Sequence, residues 1–207
     1  MKKIISILIC LMMAVLVLAS CGAGTDESAD NAAPASNAEH TKILFTMENG
    51  ETFTVETYPE YAPETCENFV NLVNEGFYDG LTFHRIIEDF MAQGGDPRGD
   101  GTGGSAHNIK GEFAANGFTQ NTLSHDRGVI SMARSNDMNS ASSQFFICYS
   151  GNHKASLDGK YAAFGKVIDG METVDNFLKV ERGFNPSEGA YSKPLEPIVI
   201  KTAEVIK

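Results

Sequence analysis

Apolar and polar residues alternate along "TKILFTMENGETFTVETY", on both sides of Asn49-Gly50. Period two marks strands, and Asn-Gly supplies the positive φ angles of a tight turn, so the stretch predicts a β-hairpin. The spacing then changes. In "APETCENFVNLVNEGFY", Cys66, Phe69, Val70 and Val73 recur at helical intervals, with Pro63 suited to a first turn and Gly76 to an end. This predicts a helix over about 63–75. Short strands are expected at 81–87, 90–95, 127–133, 143–148 and 161–168, a second helix at 171–180, and a last strand in "PIVIKTAEV". Many short strands with two helices and glycine-rich connections predict a mainly β fold, a closed antiparallel barrel with helices covering its ends. No internal repeat is visible. The stretch from Gly94 to about Arg127 has little periodicity and much Gly, Asn and Asp, and ordered binding loops are expected there.

The start of the chain follows another pattern. Lys2 and Lys3 precede the apolar run "IISILICLMMAVLVLA". That run is shorter than the roughly 20 residues of a membrane-spanning helix and ends in small residues, as a secretory signal does. Leu18-Ala19-Ser20-Cys21 resembles the lipobox of bacterial lipoproteins, in which the chain is cut before the cysteine and the cysteine is lipidated. The alternative is an ordinary signal peptide with Cys21 near its cut. The resulting division is a signal peptide at 1–20, a lipidated Cys21 with a flexible linker at 21–40, and a folded domain at 41–207. The linker has no aromatic residue and no apolar period, so disorder is expected, with an end-to-end distance of about 20–25 Å. The implied location is the extracytoplasmic face of a bacterial cell membrane, with the lipid as anchor.

Charge and cysteines narrow the partners. The formal charge is -11, and loss of Lys2 and Lys3 with the signal takes it to -13. No basic patch is present, which argues against nucleic acid and against electrostatic adhesion to anionic lipid. With Cys10 in the signal and Cys21 at the lipid site, Cys66 and Cys148 remain; they could pair outside the cell, but two buried free thiols are the expectation.

Several motifs lead nowhere. "GDGTGG" from Gly99 satisfies G-x-G-x-x-G, but "SAHNIKGEF" follows without a helical apolar face, so a glycine-rich loop is expected. Asp96-Pro97-Arg98-Gly99-Asp100-Gly101 hints at a calcium loop, yet Arg98 holds a ligand position and His107 stands where a closing glutamate is needed. His40, His84, His107, His125 and His153 show no ligand spacing, and His84 reads as a hydrogen-bonded structural residue. No metal and no cofactor are implied. No local elbow motif marks a Ser-His-Asp set, although a dispersed one stays open.

The chemistry concentrates in "FHRIIEDFMAQGGD", residues 83–96. Period two would put Phe83, Arg85 and Ile87 on one face, and a bulge or bend is needed to bring the adjacent Phe90 and Met91 to one site. "SMARSNDMNSASSQFFIC" adds Met132, Gln144, Phe145 and Phe146. Most of the 13 phenylalanines are expected to be plain core. A guanidinium among apolar residues is costly unless paired or placed at a pocket, so Arg85 is either a structural salt bridge or a functional donor. An apolar groove with one donor suits rotation about an X–Pro amide, whose barrier is about 18–20 kcal/mol and which breaks no bond. A donor aimed at the proline nitrogen favours the twisted, non-conjugated state.

"FHRIIEDFMAQGGD", "GTGG", "SMARS", "SSQFFI" and "LDGKYAAFGKV" together resemble the cyclophilin-type peptidyl-prolyl isomerases, in the family's order, from about residue 41 to the C-terminus. The resemblance implies an eight-stranded antiparallel barrel capped by two helices. It implies Arg85 as the catalytic arginine, with Phe90, Met91, Phe146 and Leu157 around a proline pocket. Gln93 and Gln144 would orient the peptide backbone, Ala133, Arg134 and Ser135 would border the residue before proline, and Gly101 and Thr102 would belong to a flanking loop. Tyr161, where many members have histidine, would wall the pocket. Ser156 falls where some members carry tryptophan, and Arg134 where asparagine is frequent. These departures bear on cyclosporin binding and on the preceding side chain rather than on the arginine.

The expected function is a membrane-tethered, monomeric foldase that isomerises X–Pro bonds in newly exported chains. The alternatives are a non-catalytic proline-peptide-binding or scaffold module using the same groove, and a surface adhesin or antigen.

Overall fold

The hairpin around Asn49-Gly50 forms as the alternation requires, joining β1 (Lys42–Met47) to β2 (Thr52–Thr57). Ile43, Phe45 and Met47 of β1 and Phe53 and Val55 of β2 enter the core. Gly50 turns with φ +85°, a conformation open to glycine without a Cβ clash. The computed structural model describes residues 39–186 and 188–207. The expected signal peptide, Cys21 and the linker up to residue 38 lie outside them. Among the described residues no helix is long and apolar enough to cross a membrane.

Helix α1 (Pro63–Asn74) buries Cys66, Phe69, Leu72 and Val73. Strands β3 (Thr82–Ile87), β4 (Met91–Asp96), β5 (Val129–Met132), β6 (Phe145–Cys148) and β7 (Ala163–Asp169) fall within two residues of their predicted bounds. A single helical turn, α2 (Lys154–Leu157), precedes β7. The helix predicted over 171–180 is α3 (Met171–Asn176), continued by a 3-10 turn over Phe177–Lys179. A hairpin of β8 (Arg182–Asn185) and β9 (Ala190–Pro194) follows, and β10 (Ile200–Ile206) ends the fold.

Two expectations need correction. Three α-helices are present among the described residues rather than two, since α2 is an additional turn. The barrel is also not closed. Eight antiparallel strands run in the order β10-β1-β2-β7-β5-β6-β4-β3, leaving β10 and β3 as edges. The edges meet at one bridge, Thr82–Val199, with Phe83 N donating to Ile198 O at 2.9 Å and Ile200 N to Leu81 O at 2.8 Å. Pro197 comes next and has no N–H to extend the ladder. Beyond that point β10 follows β1, and β9 packs against β3 and covers its free flank.

The core is aromatic. Phe45 and Phe53 stack at 4.8 Å, while Phe69, Tyr78 and Phe83 each meet Phe145 edge-on at 5.4–5.7 Å. Both described cysteines are buried free thiols, as expected, and burial pushes each up to about 12, which makes them poor nucleophiles. A second, smaller apolar cluster lies apart from this core: Met91, Phe146, Cys148 and Leu157. Strand alternation builds both. In β6, Phe145 and Ile147 join the main core, whereas Phe146 and Cys148 join the second cluster.

The long segment after β4 is held by side chains reaching backbone, and one of its residues caps α1. The helix begins at Ala62 without a side-chain cap. The buried carboxylate of Glu112 takes that place, accepting from Glu64 N (3.1 Å), Thr65 N (2.8 Å) and Thr65 Oγ1 (2.7 Å). It satisfies orphan amides and puts negative charge at the positive end of the helix dipole. Glu112→Ala is therefore expected to lower unfolding free energy by about 2–4 kcal/mol, since several buried donors lose their acceptor together. Urea titration of parent and variant measures it.

Candidate active site

A bulge in β3 decides where Arg85 points. Phe83 pairs with Gly94 and Arg85 with Gln93, so His84 is the extra residue. Phe83 and Ile86 consequently enter the main core, while Arg85 faces the groove and Ile87 packs on the second cluster. The expected common face of Phe83, Arg85 and Ile87 is thus corrected: Phe83 is excluded from it. The turn into β4 passes through Asp89 at φ +61° and brings Phe90 beside Met91, meeting the need for a bend there.

Arg85, Phe90, Met91, Gln93, Ala133, Arg134, Phe146, Leu157 and Tyr161 line one pocket of about 130 Å³. It has room for a side chain rather than a drug-sized ligand. Phe146 and Tyr161 meet edge-on at 6.0 Å, and the Arg85 guanidinium lies 5.9 Å from the Phe90 ring. A neighbouring depression of about 220 Å³ is bordered by Gly101, Thr102, Ala133, Arg134, Ser135 and Gln144. A cleft of about 520 Å³ opens on the other side, between the glycine-rich loop and the β8–β9 hairpin. Gln93 lines all three. The site residues that the family resemblance implied within the described chain all lie along this groove, whereas Met132 and Phe145, singled out beside them, belong with Phe83 to the main core.

A polar track runs beside the apolar pocket. Arg85 Nη1 donates to Gln93 Oε1 at 3.0 Å, Gln93 Nε2 to Gln144 Oε1 at 2.8 Å, and Gln144 Nε2 to the carbonyls of Gly101 (3.1 Å) and Gly103 (2.7 Å). Arg85 Nε donates to Glu188. The arginine is therefore both at the pocket and in a salt bridge. Arg134 is tied back: it donates to the carbonyls of Lys160 and Ser135 and lies 4.6 Å from the Tyr161 ring and 5.1 Å from that of Phe113. It braces the Tyr161 wall.

The glycine-rich loop already holds an anion of its own. Asp96 accepts from Arg98 N (2.8 Å), Asp100 N (3.1 Å) and Gly101 N (2.6 Å). Burial opposes the charge, but these amides hold the carboxyl below its ordinary range. A Cβ at Gly103 would stand 2.0 Å from Asp96 Oδ1, so the glycine is required by close approach. The donors a phosphate would use are taken. No group of three His, Cys, Asp or Glu residues able to hold a metal occurs among the described residues. His84 departs from expectation: its ring nitrogens lack hydrogen-bond partners, and it lines the larger cleft.

Sequence reasoning missed three contributors. Glu188 lies in an unforeseen hairpin, Phe113 in an aperiodic loop, and His153 packs its ring 4.6 Å from Phe90. It also left open a dispersed Ser-His-Asp set, and one exists in geometry. His125 Nδ1 lies 2.8 Å from Asp158 Oδ1, and His125 Nε2 lies 3.0 Å from Ser131 Oγ. Ser131 is fully buried within the sheet, so no acyl group can reach its hydroxyl. A neutral imidazole protonated on Nδ1 satisfies both partners, and the ring stacks on Phe146 at 6.0 Å. The set is a brace under the pocket wall.

Burial lowers the His125 pKa from 6.5, although Asp158 opposes the shift. Below pH 6.5 the unfolded chain accordingly binds a proton that the folded chain resists. Stability is full above 6.5 and is lost as pH falls through the lowered folded value. Burial lowers His84 too, so it shares this slope. The urea midpoint should drop between pH 7 and pH 5, and His125→Asn should flatten the drop without abolishing it. Chemical denaturation across that range measures both.

The family described as "Cyclophilin type peptidyl-prolyl cis-trans isomerase/CLD" matches residues 42–205. The chain is 46% identical over 132 residues to peptidyl-prolyl cis-trans isomerase B of Bacillus subtilis, covering 64% of this chain and 87% of that one. It is 42% identical over 144 residues to peptidyl-prolyl cis-trans isomerase-like 3 of Rattus norvegicus, covering 68% of this chain and 86% of that one. Among solved structures it resembles a Cryptosporidium parvum cyclophilin-type isomerase determined in the presence of the dipeptide Ala-Pro. That likeness has a TM-score of 0.68 at 32% identity, over 80% of this chain and 99% of the other. With a family model matching residues 42–205, relatives more than 40% identical and a shared fold, this chain belongs to the cyclophilin-type peptidyl-prolyl cis-trans isomerases.

Proposed function

We propose that the chain turns over X–Pro bonds with Arg85 as catalytic group, and that it does so as a lipid-anchored monomer acting on newly exported polypeptides. The observation that carries the catalytic part is the Arg85 guanidinium at the mouth of an apolar pocket walled by Met91, Phe146 and Leu157. The walls hold the proline ring and favour the less polar, twisted amide over the planar one. A guanidinium N–H donated to the proline nitrogen stabilises the lone pair released when conjugation is lost. Both effects act on the transition state more than on either isomer, and each ~1.4 kcal/mol so gained is about tenfold in rate.

The remaining residues take the roles their places suggest. Gln93 and Gln144, linked side chain to side chain, orient the peptide backbone. Ala133, Arg134 and Ser135 border the residue before proline, and Gly101 and Thr102 close that depression. Because Arg134 is fixed over Tyr161, its influence there is through shape more than free charge. The Ala-Pro dipeptide named with the Cryptosporidium neighbour supports a proline ligand for the groove.

The tether is supported by the basic start, the short apolar run and Leu18-Ala19-Ser20-Cys21. Uncatalysed isomerisation takes tens to hundreds of seconds, slow enough to limit folding of chains leaving a translocation site. A linker of about 20–25 Å would keep the domain near that exit.

Two outcomes are expected. Exchange NMR on a proline peptide should show acceleration by the parent, and Arg85→Ala should reduce it about 10²-fold, as loss of a transition-state donor does. Peptide shift changes without faster exchange would instead indicate a binding module. Cys21→Ala should move the protein from the membrane to the soluble fraction; retention on membranes would overturn the lipid anchor.

A further inference from the structure

We propose that Glu188, presented by the β8–β9 hairpin, is a positioning residue that fixes the plane of the Arg85 guanidinium; this rests on the reading of Arg85 as the catalytic group. Arg85 is held on two of its nitrogens. Nε donates to Glu188, and Nη1 donates to Gln93 Oε1 at 3.0 Å with Met91 Sδ at 3.7 Å. One acceptor would leave the planar group free to swing about that contact. Two acceptors on different nitrogens define its orientation, and the remaining N–H groups are those available to a substrate.

The hairpin is tied to the body of the fold and braced across its strands. β9 packs against β3, the strand that carries Arg85. Leu195 N donates to Glu181 O at 2.8 Å across the hairpin base, and Arg182 Nη1 donates to Leu178 O at 3.0 Å. Phe184 pairs with Tyr191 across the strands, their rings 5.3 Å apart and edge-on. At the tip, Glu188 N and Gly189 N donate to Asn185 O, and Gly189 turns with φ +65°. A residue 103 positions from Arg85 is thereby brought to it by the hairpin.

Position separates support from obstruction. Glu188 lines the 520 Å³ cleft but not the 130 Å³ pocket, whereas Arg85 lines both. The carboxylate stands beside the arginine, away from the walls that take the proline ring. With the pair's side chains 27% and 22% exposed, solvent weakens the attraction, so directional bonding is the main effect.

The test is a double-mutant cycle on the full-length protein, with kcat and KM followed by exchange NMR on a proline peptide. Glu188→Ala is expected to lower kcat roughly tenfold with KM unchanged, the scale of a misoriented group rather than a missing one. Glu188→Gln should recover part of the loss, because its amide oxygen still accepts from Nε–H. The Arg85 Nε–H resonance should shift in both variants, and the thermal midpoint should stay at the parent value. In an Arg85→Ala background, Glu188→Ala should cost nothing more. An unchanged or higher kcat in Glu188→Ala overturns the proposal, as does an equal loss in both backgrounds or a loss that tracks a lowered thermal midpoint. Full activity in Arg85→Ala would overturn the catalytic reading itself, a result distinct from an inert Glu188 beside an essential Arg85.

Discussion

Strands β4 and β6 are constrained on both faces, and the site depends on that. Phe145 is locked by edge-on contacts with Phe69, Tyr78 and Phe83, which fixes the rotation of β6 about its own axis. With a period of two, the next residue has no choice of direction, and Phe146 must stand on the reverse face. The same applies across the ladder, where Met91 and Gln93 alternate with the core residue Ala92. The apolar pocket is thus the back of the aromatic core. Its precision comes from close packing, which tolerates little volume change.

The pocket alone would be a greasy depression; the polar track makes it directional. Gln93 receives from Arg85 and gives to Gln144, which is anchored on loop carbonyls. Those carbonyls belong to a loop shaped by the Asp96 carboxylate. A carboxylate inside the glycine-rich turn therefore sets, through the side chains of Gln144 and Gln93, the surroundings of the arginine. Beneath the apolar wall, His125 stacks on Phe146 while Asp158 and Ser131 hold its ring. Such networks are sensitive to partial loss, because each buried polar group left alone carries its full desolvation cost.

Much of this was legible in the chain. The β1–β2 hairpin and α1 follow from period and punctuation, and the long motifs around Arg85 and Phe146 identified the family. What escaped has physical reasons. The bulge at His84 moves Phe83 into the core, but a polar pair at 84 and 85 offers no pattern that locates the extra residue. The β8–β9 hairpin exposes Phe184 and Tyr191 on its surface, so it lacks the alternation of a half-buried strand. Glu112 caps α1 from 47 residues away, and sequence patterns carry no signal for a cap delivered at that range. An open sheet is equally invisible, because closure depends on a few backbone bonds near Pro197 rather than on side-chain pattern.

Arg85 admitted two readings from sequence, a structural salt bridge or a donor for chemistry, and the geometry makes them compatible. A guanidinium has five N–H groups in a fixed plane. Salt-bridge and amide contacts use Nε and Nη1, and they leave others for a ligand. Burying a lone cation against Phe90 and Met91 would be costly, so the partners that hold it also allow it to exist there. A reaction that breaks no bond gains nothing from a tuned acid, base or nucleophile. It gains from a donor whose direction is settled before the substrate arrives, because reorganisation at the moment of rotation would add to the barrier. A permanently charged, doubly anchored side chain beside a rigid apolar wall meets that requirement, and a flexible lysine at the same position would not.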